Sequence, residues 1–313
     1  MSTQRRLISF DWALKRLLRS KANFEILEGF LSELLKEEIL ILEVLESESN
    51  KLDRFDKNNK VDLKVRNGRG ELILIEVQYE RELDYFHRLL YGTSRAVTEH
   101  LAEGRPYSDV VKAISVSILY FDLGQGEDYI YHGTTIFLGL HAKDELRLND
   151  GQKAMFKRQS VAEIFPEYYL IKVNRFDDLA HDTLDEWIYF LKNEEIREEF
   201  TAKGLRRAKE QFDLFGLPEP ERRAYAAYKD NLHYQASMVE SSYGLGKLEG
   251  RQEGRLEGRL EGRSELLIEM LESRFGNLPW EVRQRVSSGN KEEIGIWSQR
   301  LWQVDSWEEL FSS

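Results

Sequence analysis

Apolar positions recur at helical spacing near the N-terminus: Phe10, Leu14, Leu17 and Leu18, then Phe24, Leu27, Phe30, Leu31, Leu34 and Leu35. The pattern predicts two helices between about Ser9 and Leu35, broken near Ser20–Asn23. Ile39–Leu45 (ILILEVL) is a short β-like run, and the polar stretch Glu46–Lys60 predicts a loop. Val61–Gln78 then reads VDLKVRNGRGELILIEVQ, two apolar-rich runs around Asn67-Gly68-Arg69-Gly70. Asn-Gly accepts positive φ, so this stretch predicts a β-hairpin. Glu80–Gly104 predicts a long helix with Leu83, Phe86, Leu89, Leu90 and Ala96 on one face and Gly104 as its stop. The β-branched run Val110–Phe121 predicts a buried strand. Tyr129–Leu140 and Tyr168–Val173 are further strands that either extend the same sheet or form a small β subdomain. Helical stretches follow at Leu184–Leu191, Glu194–Gln211 and Glu219–Gln235, the last two separated at Pro218 and Pro220. The order predicts an α/β fold, a mixed sheet flanked by helices, followed by an all-α C-terminal region.

Gly246–Arg263 is a tetrad repeat, GKLE-GRQE-GRLE-GRLE-GR. Each glycine costs about 1 kcal/mol in a helix relative to alanine, and the like charges four residues apart add no support. The repeat is therefore either a self-association helix or a flexible charged linker. In Ser264–Ser313, Leu266, Leu267, Met270, Leu271 and Phe275 share one face, Gly276 ends that helix, and Ser306-x-x-Glu309 reads as a capping box. Three or four short helices are expected there. The domain expectation is a core over 1–176, extended by connector helices to about 240, then 241–263 and 264–313 as separate segments.

Composition narrows the chemistry. The chain has no cysteine, which excludes disulfides, thiolate metal sites and cysteine nucleophiles. No apolar run reaches the length of a bilayer span and the N-terminus lacks a signal-peptide core, so no membrane association and a cytoplasmic location are expected. Net charge is −11, against nucleic-acid binding by bulk charge. Its distribution differs: between Arg5 and Phe24, Arg5, Arg6, Lys15, Arg16, Arg19 and Lys21 stand against Asp11 alone. That local excess suits a phosphodiester, or simply a solvated helix face. The six histidines show no paired-ligand spacing, and there is no Walker-type glycine loop or serine-nucleophile motif.

Chemistry concentrates in the hairpin. Strand side chains alternate faces, so Asp62 shares a face with Lys64, and Glu76 with Gln78. An acid inside an apolar strand is costly to bury unless it is paired or holds a metal. If the register places both acids on one face, Asp62 and Glu76 converge as ligands for a hard cation such as Mg²⁺. The competing reading is two acids at a strand edge.

Asp, hairpin, Glu-x-Gln resembles the active-site pattern of the PD-(D/E)XK nuclease superfamily, in the branch where Gln replaces the usual Lys. The nearest likeness is to the Rpn family of recombination-promoting nucleases, also called transposases. Asp11-Trp12-Ala13-Leu14-Lys15 is similar to that family's N-terminal motif, with Leu14 where Phe is usual. The resemblance implies a restriction-endonuclease-like sheet and Mg²⁺-dependent (or Mn²⁺-dependent) DNA cleavage linked to recombination, mobile elements or phage defence. It implies Asp62 and Glu76 as metal ligands with Asp11 as a further acid, and Gln78 and Lys64 as catalytic candidates. It places Lys15, Arg16, Arg88 and Tyr91 toward DNA. The C-terminal segment is similar to a small helical domain of unknown function found behind this nuclease fold. Expected partners are DNA, a second copy through the repeat, and a C-terminal fragment started at Met238. The alternative is a catalytically inactive protein of this fold that binds DNA or self-assembles.

Overall fold

The computed structural model describes residues 7–45, 61–101 and 104–311. The loop expected at Glu46–Lys60 and the arginines at 5 and 6 lie outside them. Helix α1 (Phe10–Arg16) starts at Ser9, whose Oγ accepts the Trp12 N–H, and α2 (Phe24–Leu35) follows a short 3₁₀ turn at Lys21–Asn23. The expected break is therefore present. Strand β1 (Ile41–Leu45) pairs antiparallel with β2 (Leu63–Asn67), and β2 pairs antiparallel with β3 (Leu72–Gln78).

The hairpin forms with a different turn from the one expected. Gly70 carries the positive φ, +77°, and neither Asn67 nor Gly68 does. The Gly70 N–H donates to the Asn67 carbonyl at 2.9 Å, which makes a three-residue loop closed by a left-handed glycine. Asn67 contributes through its side chain instead: its Oδ1 accepts the N–H groups of Arg69 and Glu71. Glu71, 1% exposed, in turn accepts from Asn67 and Arg158 at 2.8 Å each. Burial pushes its carboxyl up, but these donors and the Arg69 charge outweigh that and hold it below its usual range.

Helix α3 (Tyr85–Glu99) leads to β4 (Ala113–Leu119), which runs parallel to β3. The buried face of α3 is Tyr85, Leu89, Thr93 and Ala96, while Leu83, Phe86 and Leu90 are 89%, 53% and 59% exposed. Three of the five residues expected on that face are therefore exposed, and Leu83 precedes the helix, which starts at Tyr85. Steps of four, four and three from Tyr85 define the stripe, and Thr93 joins it because its hydroxyl bonds the Leu89 carbonyl within the helix. Then come β5 (Ile130–Gly133), α4 (Asp150–Phe156) and β6 (Glu167–Lys172). The two late strands extend the same sheet, in order β1-β2-β3-β4-β6-β5, with β4 parallel to β6 and β5 antiparallel to it. Every residue of β4 is buried, as expected of a parallel strand covered on both faces.

Helices α5 (Thr183–Asn193) and α6 (Leu205–Gln211) cover the face opposite α3, and α7 (Glu219–Phe275) follows. The apolar core joins Phe10, Phe30, Ile75, Val116, Trp187, Phe190 and Phe212 and continues to Tyr225 on α7. The helix expected from Glu194 is confined to α6. Glu194 takes φ +54° and ends α5, while Glu186 accepts the N–H groups of Thr201 and Ala202, holding the intervening chain in a turn. That turn presses Gly204 (φ +83°) against Gly29 of α2, where an added Cβ would overlap the Lys203 carbonyl. Gly29→Ala is expected to destabilise by roughly 3 kcal/mol through overpacking against backbone that cannot yield. A urea titration showing an unchanged midpoint would refute this.

The contacts divide the chain into residues 1–232 and 233–313. Within the second unit the tetrad repeat is helical, and its glycines have nothing within 4 Å of an added Cβ. Its core gathers Leu267 and Leu271 with Val282 and Val286 of α8 (Trp280–Ser287), Ile294 and Trp297 of α9 (Lys291–Arg300), and Leu310 of α10 (Trp307–Leu310). Leu266, expected on the inner face, is 55% exposed, because the stripe runs through Leu267 and Leu271 one position on. Gly276 ends α7 at φ +84°. The Ser306 Oγ accepts the Glu309 N–H at 3.4 Å, but the Glu309 carboxylate turns to the Asp305 N–H, so the capping box is half formed.

Candidate metal and phosphate site

The β2–β3 register decides where the two strand acids stand. Leu63 pairs with Ile75, so one residue further out Asp62 lies opposite Glu76. Asp62 also accepts the Val77 N–H through Oδ2 at 2.7 Å, which fixes its carboxylate to the partner strand. Both side chains are largely buried, at 15% and 13% exposure. The structure therefore brings these two acids together.

Four carboxylates, Asp11, Asp62, Glu76 and Glu82, share this end of the sheet with the cations Lys15, Arg88 and Arg19. Lys15 lies 2.7 Å from Asp11 Oδ1 and 3.5 Å from Asp62 Oδ1, linking α1 to the hairpin. Arg88 on α3 donates to Glu76 with one nitrogen and to Glu82 with another. Gln78 donates to the same Glu82 carboxylate at 3.0 Å. Asp11, 1% exposed, also accepts the Tyr228 hydroxyl from α7. Beside Glu76 a cavity of about 10 Å³, with room for one water, is bordered by Arg88, Thr93 and Ser115.

The acids are held against their inclination to ionise. Burial raises the Glu76 carboxyl to about 7; Asp62 and Glu82 push the same way, and Arg88 only partly offsets them. Burial raises Asp62 too, with Asp11 adding repulsion while Lys15 and the Val77 N–H oppose it. Lys15 is pulled down by burial but raised on balance by Asp11 and Asp62, so it stays an ammonium.

The other residues that the sequence pointed to stand elsewhere or in other roles. Lys64, 7% exposed, is directed to Glu99 of α3 at 3.3 Å. Arg16 is exposed with its guanidinium 5.9 Å from the Trp12 ring centroid, and Tyr91 is 49% exposed on α3. Three participants were not assigned to the site from the sequence: Glu82, Tyr228, and Arg19, which counted only as part of the basic N-terminal cluster and which donates to the Asp62 carbonyl at 2.7 Å. Of these, Glu82 alone had a local signal that could have found it, lying four residues after Gln78 and six before Arg88.

A divalent cation fits this donor set. Among the described residues no group of three or more ligating side chains gathers, so the protein would supply two carboxylates, Asp62 and Glu76. Mg²⁺ accepts that: it keeps several waters and takes one or two protein carboxylates plus substrate phosphate. Asp11, Asp62, Glu76 and Glu82 outnumber Lys15, Arg88 and Arg19, so the side chains alone leave this end of the sheet formally net negative, as a cation site requires.

A six-stranded mixed sheet flanked by helices, with an acid at the mouth of β2 and Glu-x-Gln on β3, defines a restriction-endonuclease-like nuclease fold. The family model described as "PD-(D/E)XK nuclease family transposase" matches residues 8–242, and the chain belongs to that family. No curated protein and no solved structure matches the chain. Among the described residues no helix is long and apolar enough to cross a membrane.

Proposed function

We propose that this protein is a metal-dependent DNA endonuclease acting in the cytoplasm, with a role in recombination, mobile elements or phage defence. The observation that carries the reading is Asp62 opposite Glu76, both largely buried, in a cluster of carboxylates that outnumbers the cations around it. Bound there, Mg²⁺ or Mn²⁺ would polarise the phosphodiester and lower the pKa of a water. The side chains do the rest. Asp62 and Glu76 would hold the ion, the Val77 N–H fixes Asp62, and Glu82 restrains Gln78 and Arg88. In hydrolysis a water oxygen bonds to phosphorus and gives up a proton to solvent, the bond to the departing sugar oxygen breaks, and that oxygen takes a proton from solvent, so the water's two hydrogens and one oxygen are shared between the two products. The test is cleavage of supercoiled plasmid with Mg²⁺ or Mn²⁺, comparing wild type with Asp62→Ala. Cutting by both equally would sink the site assignment.

One observation favours the second reading, an inactive DNA-binding or self-assembling protein. Gln78 and Arg88 are tied to Glu82, and Arg88 covers Glu76. No cutting by wild type in any divalent metal, with DNA binding retained, would select it.

We propose also that the repeat associates with a second copy. Leu245, Leu248 and Leu256 are 61%, 57% and 66% exposed on a helix whose glycines permit close approach. Deleting residues 246–263 is expected to reduce the solution mass to that of one chain in light scattering; an unchanged oligomeric state would refute it.

A further inference from the structure

Gln78 is neutral, so the cation that meets a phosphate must come from another element. The described cations around the two acids differ in what they have left to give. The ammonium of Lys64 is buried against Glu99. Arg88 is divided between Glu76 and Glu82. Arg19 is exposed and engaged with a backbone carbonyl. Lys15 stands directly beside Asp62, 3.5 Å from its Oδ1, yet its side chain is 42% exposed. An ammonium carries three donors; two are directed at Asp11 and Asp62, leaving one for a further acceptor on the open side.

The ammonium is also well anchored. Asp11 is 1% exposed and takes Lys15 from its own helix four residues on and the Tyr228 hydroxyl from α7. Tyr228 in turn lies beside Tyr225, whose hydroxyl accepts the Ser9 N–H at the start of α1. Two elements far apart in sequence thus fix one lysine against a metal-ligand candidate.

We propose that Lys15 is the catalytic cation of this site, its ammonium meeting a non-bridging oxygen of the scissile phosphate, with Asp11 and Tyr228 as positioning residues. The proposal rests on the nuclease reading above. Lys15 transfers no proton: it stays an ammonium and offsets negative charge as the phosphorus becomes five-coordinate.

The experiment compares wild type, Lys15→Met, Lys15→Arg and the double variant Lys15→Met/Gln78→Lys in plasmid cleavage, Mn²⁺ titration and thermal melting. Lys15→Met is expected to slow cleavage by about 100-fold or more. It should bind Mn²⁺ as tightly as wild type or more tightly, because a competing cation has left Asp62. Lys at position 78 should restore at least about tenfold of the lost rate, in keeping with charge-assisted contact to a phosphate. Lys15→Arg should retain more activity than Lys15→Met. Cleavage by Lys15→Met close to wild type would overturn the proposal alone and leave the nuclease reading intact. Weakened Mn²⁺ binding in step with lost cleavage would reduce Lys15 to a brace for Asp62 and overturn it too. A wild type that binds Mn²⁺ yet never cuts would remove both. If Lys15→Met fails to fold, Tyr228→Phe decides: a fall in kcat with KM unchanged supports positioning through Asp11, and unchanged kcat overturns it.

Discussion

Glu76→Gln is expected to abolish cleavage and, at pH 8 without metal, to raise the melting temperature. The two effects have one cause. Burial and the neighbouring acids lift the Glu76 carboxyl from its ordinary 4.5 to about 7, so the folded state binds the proton more tightly than the unfolded chain does. Stability from this group is fully present below the unfolded value and declines as pH rises from about 4.5 to 7. Above that range the charged group costs roughly 3 kcal/mol. Gln is close to the same shape, carries no charge and still offers Arg88 an acceptor, so the cost disappears. A shift of several degrees follows for a unit of this size. At pH 5 wild type and variant should melt nearly together. Mg²⁺ should raise the wild-type melting temperature at pH 8 by binding the folded state alone, and should do so far less for Glu76→Gln. Melting curves at both pH values, with and without metal, check all of this; a variant less stable than wild type at pH 8 would contradict the electrostatic account.

The local signals in the chain placed the strands and the two strand acids, because alternation and turn residues act over a few positions, but they ran the strand from Tyr129 on to Leu140 where β5 ends at Gly133. Asn67-Gly68 announced a hairpin, but which residue takes positive φ depended on Asn67 bonding Arg69 and Glu71, an arrangement that Gly70 then closes. The α3 face was misassigned because Leu83, Phe86 and Leu90 are apolar yet exposed, while Thr93 is polar yet buried through an internal hydrogen bond. Hydrophobicity alone does not distinguish these. Contacts made across the fold left no trace in spacing. Tyr228 reaches Asp11 over 217 positions, and Arg158 reaches Glu71 over 87. Lys64 looked available because it follows Asp62 on the same face; Glu99, brought over by α3, engages it. The site acids were legible locally, whereas the partners that set their charge state come from α1, α3 and α7.

Asp62→Asn should give the second large effect: loss of cleavage by at least about 100-fold, the scale seen when one electrostatic group acting on a transition state is removed, with DNA binding retained or tightened. The amide oxygen keeps the Val77 N–H bond that fixes the hairpin end, so the fold should survive. The charge is lost, and with it one of the two carboxylates that would hold a divalent ion on the proposed reading. Lys15 is then partnered by Asp11 alone, and the negative field facing a phosphate backbone falls by one unit. Weaker repulsion predicts tighter DNA binding in a gel-shift titration without metal, most visibly at low salt, where surface charges are least screened. Lys64→Met provides the contrast. Its ammonium faces Glu99 rather than the acids, so cleavage should stay within a few-fold of wild type. If Asp62→Asn cut normally, the two-carboxylate site would be wrong. If it lost DNA binding together with cleavage, Asp62 would be holding the protein's shape rather than an ion. Loss of catalysis with gain of affinity is the combination expected of a carboxylate that faces the phosphate and acts in the reaction, and not of one that only holds the fold.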